Sequence, residues 1–196
     1  MLLRMGTLLG AALLAAAMAA QTGRSWAIDQ APAELRPLIA DADLGIVSMQ
    51  DALLRQLHEK LAQGGPELAF AACHIDPAAL ARRLARTHKF EGGFTSDRLR
   101  DRANRPRPWA AEFVRANAGR RVRDVHGFVV DLGDRVGVLR PMAHQEICAS
   151  CHGPADRLSP AVRKLLEERY TGDQAIGFEP GEIRGWFWVE LAKGDR

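Results

Sequence analysis

The spacing of apolar residues changes at Gly119, from a helical period before it to a strand period in the residues that follow. Between Pro32 and Ala62, apolar residues recur at steps of four and seven, which places them on one stripe of a long amphipathic helix: Leu35, Ile39, Ile46, Leu53, Leu57 and Leu61. After Gly119, valines and aromatic residues form short runs typical of strands. Helices followed by a small antiparallel sheet predict an α+β fold. With 196 residues, 47% of them hydrophobic, a single ordinary core is expected, and collagenous or wholly disordered chains are excluded.

Glycine and proline mark where the helices of the first half begin and end. Gly64-Gly65-Pro66 should end the long helix and open a second one toward Ile75. Asp76-Pro77 predicts a further helix to about His88, which we expect Gly92-Gly93 to end.

The second half contains the predicted sheet. After a polar loop over residues 95–107 and a short helix from Trp109 to Asn117, two strands are expected around a tight turn at Leu132-Gly133-Asp134. Ser159-Pro160 should begin a helix to Tyr170, and Ile183 to Leu191 should form the last strand.

The first 27 residues have the pattern of a secretory signal peptide. Arg4 precedes an apolar run from Gly6 to Ala20, and small-x-small cleavage sites end at Ala19 and Ala27, of which we favour Ala27. A membrane anchor is the alternative, but the apolar run is shorter than the roughly 20 residues of a spanning helix. We therefore predict a signal peptide over 1–27, an amphipathic helical segment over 28–64 and the main domain over 65–196. A periplasmic location, with no stable membrane anchor after cleavage, follows.

The charge balance gives no support to nucleic-acid binding. The formal net charge is +3, and removing residues 1–27 leaves 25 basic residues against 24 acidic ones. The segment from Arg82 to Arg107 is rich in arginine. A solvated face is the simpler interpretation of this segment, and docking of an acidic partner or of carboxylates is the alternative.

The pentapeptide Cys148-Ala149-Ser150-Cys151-His152 is the strongest chemical signal in the sequence. Cys-x-x-Cys-His is the attachment signature of c-type haem: the two thiols form thioethers with the vinyl groups, and the adjacent imidazole becomes an axial ligand of iron. Export agrees with this interpretation. The sequence thus predicts one covalent haem c per chain, held by Cys148, Cys151 and His152.

Three other uses of these cysteines are weaker. A structural zinc site needs four ligands, and one cysteine remains outside the motif. A thioredoxin-like redox pair does not need His152, and a structural disulfide would leave that histidine accidental.

The remaining cysteine, Cys73, has no disulfide partner if the motif cysteines hold haem. It is either a buried core residue or the source of a thiolate as sixth ligand. His74, Met142 and His144 are competing candidates for that position, with His58, His88 and His126 more remote. Spacing does not choose among them.

The segment from Pro141 to Gly185 resembles the small PAS-like c-type haem family, whose members are periplasmic cytochromes and sensory domains. The resemblance lies in Pro141, the Cys148–Gly153 motif, Tyr170, the Gly172–Phe178 stretch and Gly181-Glu182-Ile183-Arg184-Gly185, and extends upstream to Cys73, Pro77, Asn104, Pro106, Pro108 and Trp109. It covers most of residues 66–191 and implies a PAS-like antiparallel sheet flanked by helices. It also implies His152 as the proximal ligand and Cys73 as the distal one. The placement of His74 directly after Cys73 departs from the family pattern.

Two functions are compatible with such a site. The first is a one-electron carrier that docks briefly with a redox partner protein, because two strong axial ligands close the iron to substrates. The second is a redox or gas (CO or NO) sensor that acts through a separate partner when Cys73 leaves the iron. We expect no enzyme activity unless the distal position is open.

Overall fold

The computed structural model describes residues 23–72 and 90–194. Within these ranges the chain forms one five-stranded antiparallel sheet with helices on both faces. The strands are β1 (Ser25–Ala27), β2 (Glu91–Thr95), β3 (Phe128–Asp131), β4 (Arg135–Ala143) and β5 (Ile183–Ala192). The helices are α1 (Arg36–Ala72), α2 (Ala111–Ala116), α3 (Ala149–His152) and α4 (Pro160–Arg169). The α+β prediction is confirmed.

The strand order is β1-β3-β4-β5-β2, so the long strands β4 and β5 form the centre of the sheet. The β3–β4 hairpin turns where the sequence predicts it. Asp131 Oδ1 accepts a hydrogen bond from the Gly133 amide at 2.9 Å, and Gly133 has a φ of 92°, which suits glycine.

Helix α1 packs on one face of the sheet through the predicted stripe. Leu35, Ile39 and Ile46 are buried, together with Met49, against strand residues of β3, β4 and β5. The helix is broken at Gly64 and Gly65, and Gly65 has a φ of 69°. The predicted end of the first helix and the new start at Pro66 are therefore confirmed.

Alternation along β5 divides the core in two. Phe187, Val189 and Leu191 face α1, whereas Trp186 and Trp188 face the opposite side, where α2 packs. Burial of both faces explains why the strand is almost continuously apolar.

A third cluster holds the segment that carries the two motif cysteines. Cys151 packs with Phe70 from the last part of α1 and with Val162 and Leu166 of α4. Ser159 caps α4, because its hydroxyl accepts a hydrogen bond from the Val162 amide at 3.1 Å. The predicted helix from Ser159-Pro160 is confirmed, and it forms one wall behind the motif.

Two strands were not predicted. Gly92 and Gly93, expected to end a helix, lie inside β2, where Gly93 pairs with Trp188 of β5. A Cβ atom on Gly93 would lie 3.0 Å from Trp188 Nε1, so the indole requires a residue without a side chain there. The other strand, β1, pairs with β3 through residues that the sequence assigns to the signal peptide. Cys73, His74 and the helix predicted from Pro77 to His88 lie outside the described residues, as do residues 1–22.

Among the described helices, none combines the length and the apolar character needed to cross a bilayer.

Candidate haem site

The two motif cysteines lie one helical turn apart. Cys148 directly precedes α3 and Cys151 lies within it, so their side chains share one face of the turn. Both thiols are free; Cys151 is buried and Cys148 is half-buried. Burial raises the pKa of both thiols, which favours their protonated form at neutral pH.

The ring of His152 is held in one orientation. Its Nδ1 lies 2.7 Å from the carbonyl oxygen of Ala175, and since a carbonyl can only accept, Nδ1 carries the proton. The opposite nitrogen, Nε2, is therefore unprotonated, and its lone pair accepts from Arg184 Nη2. Burial lowers the pKa of His152 well below its usual 6.5, and the nearby charges of Arg184 and Arg100 lower it further. Neutral imidazole with Nδ1–H bonded to a carbonyl is the form that ligates metals through Nε2.

The segment after Gly172 supports the motif from behind. The Phe178 amide donates to the His152 carbonyl at 3.0 Å, and the Gly177 amide donates to the Gly153 carbonyl at 2.8 Å. Gly177 has a φ of 77°, which allows the chain to turn there. The Gly172–Phe178 stretch singled out by resemblance is thus the backbone frame of the motif.

A cavity of about 710 Å³ opens beside the motif. Its size lies within the range of about 300–1,000 Å³ typical of small-molecule and cofactor pockets. Both motif cysteines and His152 line it, together with side chains from α1 and three strands: Leu53, Leu54, Leu57, Phe94, Met142 and Phe187. Two residues of the α1 stripe, Leu53 and Leu57, therefore line the cavity rather than the packed sheet face.

Three arginines also line this cavity: Arg98, Arg100 and Arg184. Arg184 Nη2 lies 3.2 Å from His152 Nε2. Arg98 forms an ion pair with Glu182 and lies over the Phe178 ring. Arg98 and Arg100 belong to the arginine-rich segment that the sequence assigns to a solvated face. That interpretation is wrong for these two residues, because each is paired with a carboxylate and with backbone carbonyls of the 175–177 region.

The candidates for a second axial ligand differ in position. Met142 lines the cavity. His144 is 2% exposed and stacks on Phe178, and it is not among the lining residues. Cys73 and His74 lie outside the described residues, so their assignment stays a prediction. Within residues 23–72 and 90–194, no group of three or more His, Cys, Asp and Glu side chains is placed to bind a metal ion.

The donors present fit a c-type haem. Two unbridged thiols lie one turn apart, the adjacent imidazole has an unprotonated Nε2, and a cavity lined by apolar side chains and by arginines adjoins all three. A tetrahedral zinc site would need further ligands of the same kind. The fold and the site thus define an α+β domain with a cofactor pocket between its long helix and its sheet.

The comparisons assign this domain to a family. The family model described as Tll0287-like matches residues 13–192, and the chain belongs to that family. In fold, the chain is similar to the crystal structure of the cyanobacterial haem protein Tll0287, with a TM-score of 0.54 and 20% sequence identity. The alignment covers 79% of this chain and 98% of the other. A search of curated proteins gave no significant match.

Proposed function

We propose that this chain is a monohaem c-type cytochrome of the periplasm that carries single electrons to or from a redox partner protein. Haem is attached through Cys148 and Cys151, His152 is the proximal ligand, and Cys73 is the distal one. The proposal also includes a PAS-like fold for the antiparallel sheet and the helices that flank it. The membership in the Tll0287-like family and the likeness to a haem protein support haem binding.

The orientation of His152 carries the proposal. Its Nδ1 is committed to the Ala175 carbonyl at 2.7 Å, which leaves Nε2 as the only nitrogen able to bind a metal. A histidine that served only packing or solubility would not need a fixed tautomer beside two free thiols and a cavity.

Each group of residues has a separate task. The motif cysteines fix the cofactor covalently, and Leu53, Leu57 and Phe187 give the cavity apolar surface for it to pack against. A bound haem supplies reversible one-electron chemistry. A thiolate from Cys73 would favour the oxidised state and lower the reduction potential.

The test is expression of the full chain with the c-type maturation machinery, followed by mass measurement of the denatured protein. The wild type should retain haem after denaturation, and the double variant Cys148→Ser/Cys151→Ser should not. His58→Gln is the matched control, since His58 is exposed on α1 and its Nδ1 lies 2.8 Å from the Leu54 carbonyl oxygen of the same helix. Absence of covalent haem from the wild type would overturn the proposal.

Spectra of the same protein separate carrier from sensor. A low-spin spectrum, thiolate-like when oxidised and unchanged by CO when reduced, supports a closed electron carrier. A rapid shift under CO would favour the gas-sensor alternative.

The distal ligand is tested by Cys73→Ser, His74→Ala and Met142→Leu in parallel. The proposal predicts that the Cys73 variant alone loses the thiolate signature.

A further inference from the structure

Arg100 and Asp173 form a buried ion pair behind the His152 ring. Arg100 Nε lies 3.3 Å and Nη2 lies 3.2 Å from Asp173 Oδ2, and each side chain is 9% exposed. The two residues are 73 positions apart, and nothing in the motif predicts that they meet. The pair is connected to the candidate site by its location, because both side chains contact Ala175, which orients His152.

The two side chains bond to both backbone groups of Ala175, the residue whose carbonyl orients His152. Asp173 Oδ1 accepts from the Ala175 amide at 2.9 Å, while Arg100 Nη2 donates to the Ala175 carbonyl at 3.4 Å. The same Nη2 donates to the Cys151 carbonyl at 2.6 Å. Arg100 thereby connects the haem-attachment turn to the residue that orients His152.

The Ala175 carbonyl receives two donors, Nδ1 of His152 and Nη2 of Arg100. A carbonyl that also bonds a guanidinium accepts less strongly from the imidazole, so the imidazole gives less electron density to a metal at Nε2. In addition, a buried positive charge near the site favours the reduced state of a bound cofactor, which carries one positive charge fewer.

The Arg100 side chain is enclosed by the ion pair and by two aromatic rings. Its guanidinium lies 5.6 Å from the centre of the Phe70 ring and 5.9 Å from that of Tyr170. Its Nη1 is buried and has no hydrogen-bond partner among the described residues. These contacts place the positive charge of Arg100 beside the site and largely out of solvent.

We propose that Arg100 and Asp173 are positioning residues that set the donor strength of His152, and hence the reduction potential, through the Ala175 carbonyl. The inference rests on the proposed haem site. It predicts shifts of opposite sign: loss of the Arg100 charge should lower the potential, and loss of the Asp173 charge should raise it. Loosening of the site would move both variants in the same direction.

The experiment is a redox titration of the matured full-length protein carrying Arg100→Gln or Asp173→Asn. We expect the ratio of reduced to oxidised protein at fixed ambient potential to change about tenfold in each case, equivalent to about 59 mV for one electron. Arg102→Gln and Asp156→Asn are the controls, because they remove the same charges from exposed positions. Their shifts should be much smaller.

A second readout follows the hydrogen bond itself. In the reduced protein, the Nδ1 proton of His152 should move to lower field in the NMR spectrum of Arg100→Gln, because its bond to Ala175 strengthens. Arg100→Lys keeps the positive charge but loses the planar guanidinium, which can donate to several acceptors at once. Its reduction potential should therefore lie between those of the wild type and Arg100→Gln.

The possible failures are distinguishable. If the wild type carries no covalent haem, the proposed function fails. If it carries haem but the variants match their controls, or shift in the same direction, the role of the pair fails while the function stands. Should Arg100→Gln not be recovered as folded protein, Arg100→Lys takes its place, and opposite signs of the Arg100→Lys and Asp173→Asn shifts support the pair whereas equal signs overturn it.

Discussion

The indole of Trp109 packs directly on Gly137 in the middle of β4. A Cβ atom on Gly137 would lie 2.9 Å from Trp109 Cζ2, closer than side-chain carbons approach one another. The same indole donates from Nε1 to Glu190 Oε1 at 2.8 Å, and Glu190 pairs with Gly137 across the two central strands. The missing side chain of Gly137 therefore lets a tryptophan cover the sheet and reach a buried carboxylate.

Gly137→Ala should destabilise the fold by about 1–3 kcal/mol, the usual cost of inserting a methyl group into a packed core. The indole must move away, which also weakens its bond to Glu190. The measurement is the free energy of unfolding in denaturant, with tryptophan fluorescence of the native state as a local report.

Gly194→Ala is the matched control, because no atom of the described residues lies within 4 Å of a Cβ atom at that position. Equal stability of the two variants would contradict the packing argument.

A second contact ties the long helix to the sheet. Arg140 of β4 donates to Asp43 of α1 from Nε at 2.8 Å and from Nη2 at 2.6 Å. Since the side chains are 28% and 37% exposed, solvent screens the pair, and Asp43→Asn should cost only about 1 kcal/mol. The loss should shrink as salt is added.

Asp41→Asn, one exposed position on the same helix, is the comparison. If Asp41→Asn lowers the free energy of unfolding more than Asp43→Asn does, the effect comes from the overall charge of the helix and not from the contact with Arg140.

Local signals predicted much of this fold. The break after Gly64, the turn at Gly133 and the cap at Ser159 depend on the backbone preferences of single residues, which the sequence displays directly. The α1 stripe was predictable for the same reason, because helical spacing is a property of neighbouring residues.

What the sequence left undetected depends on distant pairing. The strand character of Gly93 comes from Trp188 of β5, and the burial of Arg100 comes from Asp173. For the site, the motif predicts the two cysteines and His152, which line one cavity. The carbonyl that orients the imidazole lies 23 residues beyond it and has no side-chain signature.

The pairing of β1 bears on processing of the N-terminus. Ser25 pairs with Val130, and the Asp131 amide donates to the Arg24 carbonyl at 2.8 Å. Cleavage after Ala27 would remove this edge strand, whereas cleavage after Ala19 would keep it. We therefore expect the exported protein to begin at Ala20, which mass spectrometry of the intact mature chain can check.

A chain engineered to begin at Ile28 supplies the complementary measurement. It should unfold at lower denaturant concentration than the chain beginning at Ala20, because β3 loses its edge partner. A mature protein that naturally begins at Ile28 would refute this expectation and would restore the cleavage site favoured by the sequence.

Because of His144, the free energy of unfolding should decrease as the pH is lowered. Burial lowers its pKa below the usual 6.5, and the charge of Arg184 lowers it further, while Glu179 and Glu182 act in the opposite direction. The unfolded chain takes up a proton on this residue as the pH falls below about 6.5, and the folded chain does so only at lower pH. Unfolding therefore becomes easier between these two values, by up to about 1.4 kcal/mol per pH unit for one proton.

His144→Phe should remove this dependence. The ring stacks on Phe178 at a centroid distance of 5.9 Å, and neither ring nitrogen has a hydrogen-bond partner within the described part of the chain, so phenylalanine suits the position. The measurement is the free energy of unfolding of the haem-loaded protein between pH 7.5 and 5, with His58→Gln as the comparison. The visible spectrum of His144→Phe should stay that of the wild type, because His144 does not line the cavity. A changed spectrum would instead make His144 an iron ligand, and an unchanged pH profile would assign the acid sensitivity to another group.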